Sequence, residues 1–358
     1  MDSSSSEVNN SDSSTESPHS PIILRQHHRY KGQRKHHHIK VYKSPSETAR
    51  AMLVAGISKT KYPPLRILYL AFLAGIITAM ASHLCLMTAG MFIVPPPTHP
   101  GAEPPDHFYI LYIPQIRRLF LGLFLPASLC GIMLFGGELY TGNSVTVMIA
   151  MVSRSVPISK GLYNLGGVLI GNYAGCVSYA FFISKSSGLF DDKAYADVVQ
   201  YLLESKTVHL TFLQAFLRGI GGNAWICAAV FFSTCAEDVP GKIMGIYVAV
   251  FSMGASGFEH IVMNMYLLTL GVMVESGHEV TYFDVWFRNY LPVFIGNSVV
   301  GWAFGVSVYF LYLHDYVIPK VENPAIPKEK GIPLPRIGKD EFSFMKRCFS
   351  KCKRTPPV

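Results

Sequence analysis

One histidine in this sequence stands where a histidine is costly. His260 closes the run Gly254-Ala255-Ser256-Gly257-Phe258-Glu259-His260 inside an apolar stretch from Ile243 to Val274, and Asn264 follows one helical turn later. An ionisable ring at membrane depth marks a functional site by default, because one nitrogen can donate while the other accepts. A second polar, glycine-rich interruption, Gly136-Gly137-Glu138-Leu139-Tyr140-Thr141-Gly142-Asn143, lies inside the apolar stretch Leu119 to Val152. The chemistry open to these groups is hydrogen bonding to a small polar solute and proton exchange with it. Thr141 is expected to donate its hydroxyl to His260 and so fix the ring tautomer. Glu138 and Glu259 hold similar places in the two interruptions, and are expected to accept the free N–H groups of a resuming helix. His83, beside Ser82 in the first apolar run, reads as a packing histidine satisfied by a neighbour.

The elements that must position these groups are membrane spans. The chain has 358 residues, 50% of them hydrophobic and only 15% charged, which is more apolar surface than one soluble core requires. Six runs reach the length of about 20 residues that a bilayer needs. They are Leu65 to Thr88, Leu119 to Val152, Tyr163 to Ile183, Thr211 to Thr234, Ile243 to Val274 and Leu291 to Leu313. The second and fifth read as broken helices. Irregular backbone at membrane depth is tolerated where it is buried in protein or lines a cavity, so the breaks mark a pathway.

Each half holds three runs with the break in the middle one, and the third runs echo each other in Ile170-Gly171-Asn172-Tyr173 and Ile295-Gly296-Asn297-Ser298. Three crossings per half force the second half to insert upside down relative to the first. The expected fold is therefore an all-α membrane protein of six transmembrane helices built as an inverted 3+3 repeat, with the site at the repeat interface. Gly167, Gly171 and Gly175 recur every four residues on the third run and predict close helix packing.

Three regions are expected: a disordered cytosolic tail over 1–62, the transmembrane domain over 63–315 and a basic cytosolic tail over 316–358. Most of the 31 Lys and Arg lie before Arg66 or after Leu313, so the net charge of +8 belongs to the tails. Basic residues beside apolar spans favour anionic headgroups over nucleic acid as partners, and the positive-inside rule puts both termini in the cytosol. The first twenty residues are serine-rich and acidic, which does not resemble a cleavable signal peptide. The seven cysteines are scattered with no zinc or disulfide spacing. Cys348 and Cys352 in the basic tail read as free thiols. His27, His28, His36, His37 and His38 read as part of a solvated basic segment. No cofactor and no metal are implied.

Basic residues near the mouths would concentrate an anion: Lys59, Lys61 and Arg66 before the first run, and Lys206 before the fourth. The Gly-Ala-Ser-Gly element at Gly254 to Gly257 also allows an intramembrane serine protease with Ser256 as nucleophile. That reading has to take its base from the same break, four residues on, and it leaves the break at Thr141 without a role. An aquaporin-type neutral-solute channel would require Asn-Pro-Ala elements, and the sequence has none.

Taken together, Gly137 to Asn143, the Gly-Phe-Glu-His-x-x-x-Asn pattern at Gly257 to Asn264, and Pro292 with Ile295-Gly296-Asn297 resemble the formate/nitrite transporter family across nearly the whole membrane region. The Thr-Gly-Asn form and the long polar tails look most like its apicomplexan branch, which moves lactate and formate with protons. The resemblance implies a homopentamer of aquaporin-like protomers with helices 2 and 5 interrupted. It further implies proton-coupled transport of small monocarboxylates rather than catalysis, with passive conduction of formate- or nitrite-type anions as the alternative, and a plasma-membrane location. Carried over by position, His260, Thr141, Asn264 and Asn223 would line the vestibule, with Leu139 near the inner slit. Leu125 and Met253 would form the outer slit, where many relatives have aromatic residues. Family members place the outer lysine four residues before a Thr-Phe pair. Here that position is Thr207, and Lys206 stands one residue away.

Overall fold

Proline, capping residues and left-handed glycines set where the helices of this chain begin and end, as the computed structural model shows for residues 41–89, 114–274 and 280–314. Helix α1 (Pro45–Lys59) has Pro45 in its first turn and a capping box in which Ser44 and Glu47 satisfy each other's backbone N–H. The first crossing is α2 (Pro64–Ala89). The second is divided into α3 (Pro114–Phe124), α4 (Pro126–Phe135) and α5 (Tyr140–Val152). The third, α6 (Ile158–Tyr179), continues as a π-helical turn over Ala180–Lys185. Helix α7 (Lys193–Thr207) then precedes the fourth crossing, α8 (Phe212–Cys235). The fifth is divided into α9 (Val239–Ala255) and α10 (Ile261–Met273). After the short α11 (Tyr282–Val285) and a π turn over Trp286–Tyr290, α12 (Leu291–Tyr312) forms the sixth. Among the described residues five stretches are long and apolar enough to cross a membrane, and α9 with α10 supply the remaining crossing in two pieces.

Both breaks have one cause. Helix α4 ends at Gly136 with φ 72°, and the turn after α9 contains Gly257 with φ 73°. That left-handed backbone disfavours any residue with a Cβ by about 1 kcal/mol or more. Each glycine lies two residues before its glutamate. The halves correspond in their crossings and in the helix that leads each half, α1 with α7, α2 with α8, α4 and α5 with α9 and α10, and α6 with α12. Within each half the first and third crossings pack together, α2 on α6 and α8 on α12. The resumed helices pack across the halves, α5 against α8 and α12, and α10 against α2 and α6. That exchange places the two breaks side by side.

The expectation of a disordered tail through residue 62 is corrected in its last part. Ala49, Met52 and Gly56 of α1 are buried, and Gly56 lies against the Thr146 carbonyl of α5. Just before it, Tyr42 bridges Ala236, and Lys43 pairs with Glu237 at 2.9 Å. The low apolar content that argued for disorder belongs to the segment preceding α1. The histidine cluster at 27–38 and the cysteines at 348 and 352 lie outside the described residues.

The glycine stripe on α6 does pack. A Cβ at Gly175 would meet the Phe72 carbonyl and the Ile76 nitrogen of α2. Backbone cannot yield as a side-chain tip can, so Gly175→Val should separate α2 from α6 at a cost of at least 1–3 kcal/mol. The expected outcome is a several-fold loss of monodisperse protein on size-exclusion chromatography in detergent, against little change for Gly166→Ala, where the added methyl meets open space.

Candidate functional site

Helices α5 and α10 start at the breaks, and their first turns touch: Thr141 Oγ1 lies 2.8 Å from His260 Nε2. Each start is held by an asparagine from the third crossing of its own half. Asn172 Oδ1 accepts the Tyr140 N–H at 2.9 Å, while its Nδ2 donates to the carbonyls of Ala71 and Glu138 at 2.8 and 2.9 Å. In the second half Asn297 Oδ1 accepts the Ile261 N–H at 2.9 Å, and its Nδ2 donates to the carbonyls of Gly219 and Glu259 at 2.7 and 3.2 Å. One amide thus ties together three elements in each half. This is the physical content of the Ile-Gly-Asn echo in the sequence.

The two glutamates do not cap these helices, which corrects the expectation for them. Glu138 and Glu259 are buried, and each carboxylate instead meets a lysine from the helix preceding its half. Lys59 Nζ is 3.2 Å from Glu138 Oε2, and Lys206 Nζ is 2.7 Å from both oxygens of Glu259. Asn143 and Asn264 donate to the same carboxylates, and in turn Asn143 Nδ2 reaches Asn164 Oδ1 at 3.2 Å and Asn264 Nδ2 reaches Asn289 Oδ1 at 2.8 Å. Asn164 and Asn289 close the circuit by donating to the carbonyls of Lys59 and Lys206. Buried charges are tolerated when paired and fully hydrogen-bonded, so these two networks fix the breaks rather than carry a solute. Asn264 belongs to one of them, although its Oδ1 has no partner among the described residues.

His260 has both ring nitrogens engaged. Nδ1 accepts the Met263 N–H at 3.2 Å, so the imidazole is itself the N-cap of α10. A ring that accepts at Nδ1 carries its hydrogen on Nε2, and the network therefore assigns Nε2–H as donor to Thr141 Oγ1, the reverse of the direction expected from sequence. The Thr141 hydroxyl hydrogen is left for another acceptor. Asn223 Nδ2 donates to Ser144 Oγ at 3.2 Å and to the Asn297 carbonyl at 2.6 Å, and its buried Oδ1 has no partner among the described residues. Thr141, His260 and Asn223 are therefore gathered at the junction of the halves.

On the side covered by α7, a cavity of about 120 Å³ adjoins this junction. Leu125 and Met253, both buried, line it together with Phe258 and Met263. Arg118, Lys206 and Arg218 also border it. Sequence reading did not find Arg118 or Arg218, since a single arginine beside a span is ordinary. Leu139 is buried immediately before α5. Lys61 is exposed, and the Arg66 guanidinium stacks over the Tyr62 ring at 4.1 Å. His83 bonds Ser184 and Tyr266 at 2.9 and 3.1 Å, away from the junction. Ser256 is exposed at the end of α9 and forms no bond with His260, so the serine–histidine pair that a protease needs is not assembled. Among the described residues no cluster of His, Cys, Asp and Glu could hold a metal.

A six-crossing inverted repeat with two interrupted helices meeting at a polar junction defines a membrane transporter or channel. The chain belongs to the formate/nitrite transporter family, whose sequence pattern matches residues 46–311. It is 31% identical over 272 residues to a formate-nitrite transporter of Plasmodium knowlesi, covering 73% of this chain and 81% of that one. Among solved structures it resembles a channel described as an FNT family ion channel, with a TM-score of 0.65 at 20% identity, covering 74% of this chain and 99% of that chain. It also resembles one described as a pentameric formate channel with formate bound, with a TM-score of 0.57 at 23% identity, covering 75% of this chain and 98% of that chain. The chain is thus a transporter and not an enzyme.

Proposed function

We propose that this chain carries small monocarboxylates such as lactate and formate together with a proton, as a homopentamer in the plasma membrane with both termini cytosolic. The observation that carries the reading is the contact of Thr141 and His260 at the starts of α5 and α10, and Leu125 and Met253, which line the neighbouring cavity, are the residues proposed to form the outer slit. Helix N-termini favour an anion, and the free hydroxyl hydrogen of Thr141 is a donor for a carboxylate. A bare carboxylate in an apolar slit faces a desolvation penalty of several kcal/mol. Protonating an acid of pKa near 4 at pH 7 costs about 4 kcal/mol, so the neutral acid is the cheaper species to pass. The pentamer rests on the likeness to the pentameric formate channel, and the orientation on the basic tails.

Passive anion conduction is the second reading, favoured by the fully engaged ring of His260, which leaves no free nitrogen for a proton. One measurement separates the two. Uptake of labelled lactate or formate into proteoliposomes should rise several-fold for each unit by which the external pH is lowered at constant internal pH. Uptake that follows the anion gradient and the membrane potential, and ignores the proton gradient, establishes passive conduction instead.

A further inference from the structure

Lys206, the residue expected to gather anions at the α7 side, is neutralised there by the two 2.7 Å bonds to Glu259. The cavity is not left neutral. Arg118 of α3 and Arg218 of α8 both border it, both residues are exposed, and neither guanidinium has an ion-pair or hydrogen-bond partner among the described residues. Both flank the same three-residue segment. The Arg118 guanidinium carbon lies 3.6 Å from where a Cβ on Gly257 would stand, and the Arg218 carbonyl accepts the Glu259 N–H at 3.2 Å. With no side chain at Gly257, Arg118 can settle against the turn and face the mouth.

Arginine stays charged at any working pH and its planar fork matches a carboxylate with two parallel bonds. Two such forks on one small concave surface, with the neighbouring lysine already cancelled, make a doubly positive site whose field the apolar walls concentrate. We infer that Arg118 and Arg218 form a binding site for small dicarboxylate dianions at the α7 mouth, one carboxylate to each guanidinium. A dianion that docks there stalls. To go on past Leu125 and Met253 it would have to shed both charges, whereas a monocarboxylate has one to neutralise. The site rests on the geometry of the mouth, and only its consequence, a block, rests on the transport reading above.

Malonate is the probe. In purified wild-type protein, malonate at constant ionic strength should raise the thermal unfolding midpoint in a saturable way, with acetate giving a much smaller shift. In cells expressing the protein, malonate on the side that α7 faces should raise the apparent KM for formate without lowering Vmax. In Arg118→Gln/Arg218→Gln the malonate inhibition constant should rise at least tenfold and the stabilisation should vanish, and Arg118→Lys/Arg218→Lys should keep part of both. Absence of any malonate stabilisation in the wild type, or block and stabilisation that survive in the double glutamine variant, overturns the site. Wild-type protein that binds malonate through these arginines but moves no formate would retain the site and refute the transport reading, so the two failures are separable.

Discussion

Replacing Lys206 with alanine is expected to lower the thermal unfolding midpoint by about 10 °C and remove most transport, and adding Glu259→Gln should restore much of both. The side chain of Glu259 is 2% exposed, and its two oxygens are met by one lysine and by Asn264. Removing the lysine leaves a carboxylate buried with one neutral donor, a change that costs about 3–5 kcal/mol. At roughly 2–4 °C per kcal/mol for a chain of this size, that is the shift stated. Glutamine in place of Glu259 keeps the shape and removes the orphaned charge, so the penalty largely disappears with it. The same single change at Lys59 should cost less, because the Lys59 side chain is 23% exposed against 14% for Lys206, and water can reach the Glu138 carboxylate when it leaves. Differential scanning fluorimetry in detergent and flux in proteoliposomes give both readings. A Lys206→Ala protein as stable and active as the wild type would remove the anchoring role of the pair.

That pair also marks the limit of what the sequence made legible. The broken spans could be read because glycine and charge inside an apolar run have few physical explanations, and the repeat could be read because Ile-Gly-Asn recurs at the same place in each half. The counter-charges could not be read in the same way. Lys59 and Glu138 are separated by a whole span, and so are Lys206 and Glu259, and no periodicity connects a residue at the end of one helix with a break in another. A stronger signal was available in the spacing. Asn143 and Asn264 each follow their glutamate by five residues, and Asn164 and Asn289 each precede Asn172 and Asn297 by eight. Four amides in register with two carboxylates describe the networks that the fold builds. Helix α1 was missed because Ser44, Pro45 and Glu47, a complete helix start, sit at the end of a long polar segment whose composition outweighed them. Arg118 and Arg218 become informative only once α3 and α8 are seen to share a cavity.

His260→Asn is expected to give protein that folds nearly as well as the wild type and transports about a hundredfold more slowly, and the choice of asparagine decides what the result means. The imidazole does two things here, capping α10 through Nδ1 and donating to Thr141 through Nε2. Alanine would abolish both at once, costing about 0.5–2 kcal/mol for the cap alone, and any loss of flux could then be assigned to a disordered helix start. Asparagine is among the best N-cap residues, so its side-chain oxygen can take the Met263 N–H while its shorter reach leaves Thr141 Oγ1 without its donor. A donor held fixed on passing negative charge in a water-poor site is worth about 10²–10³ in rate, and the Thr141 hydroxyl is held toward the solute only while Nε2–H occupies its oxygen, which sets the expected loss. Thr141→Val tests the other end of the same bond. It keeps the volume, removes the hydroxyl that would face the solute, and leaves the Nε2–H of His260 buried without a partner. The two variants should therefore lose flux to similar extents, and the double variant should lose little more than either, because the bond is a single unit. Proteoliposome flux of labelled formate, with unfolding midpoints measured on the same preparations, checks this. Full flux in His260→Asn would show that the imidazole serves the helix start alone.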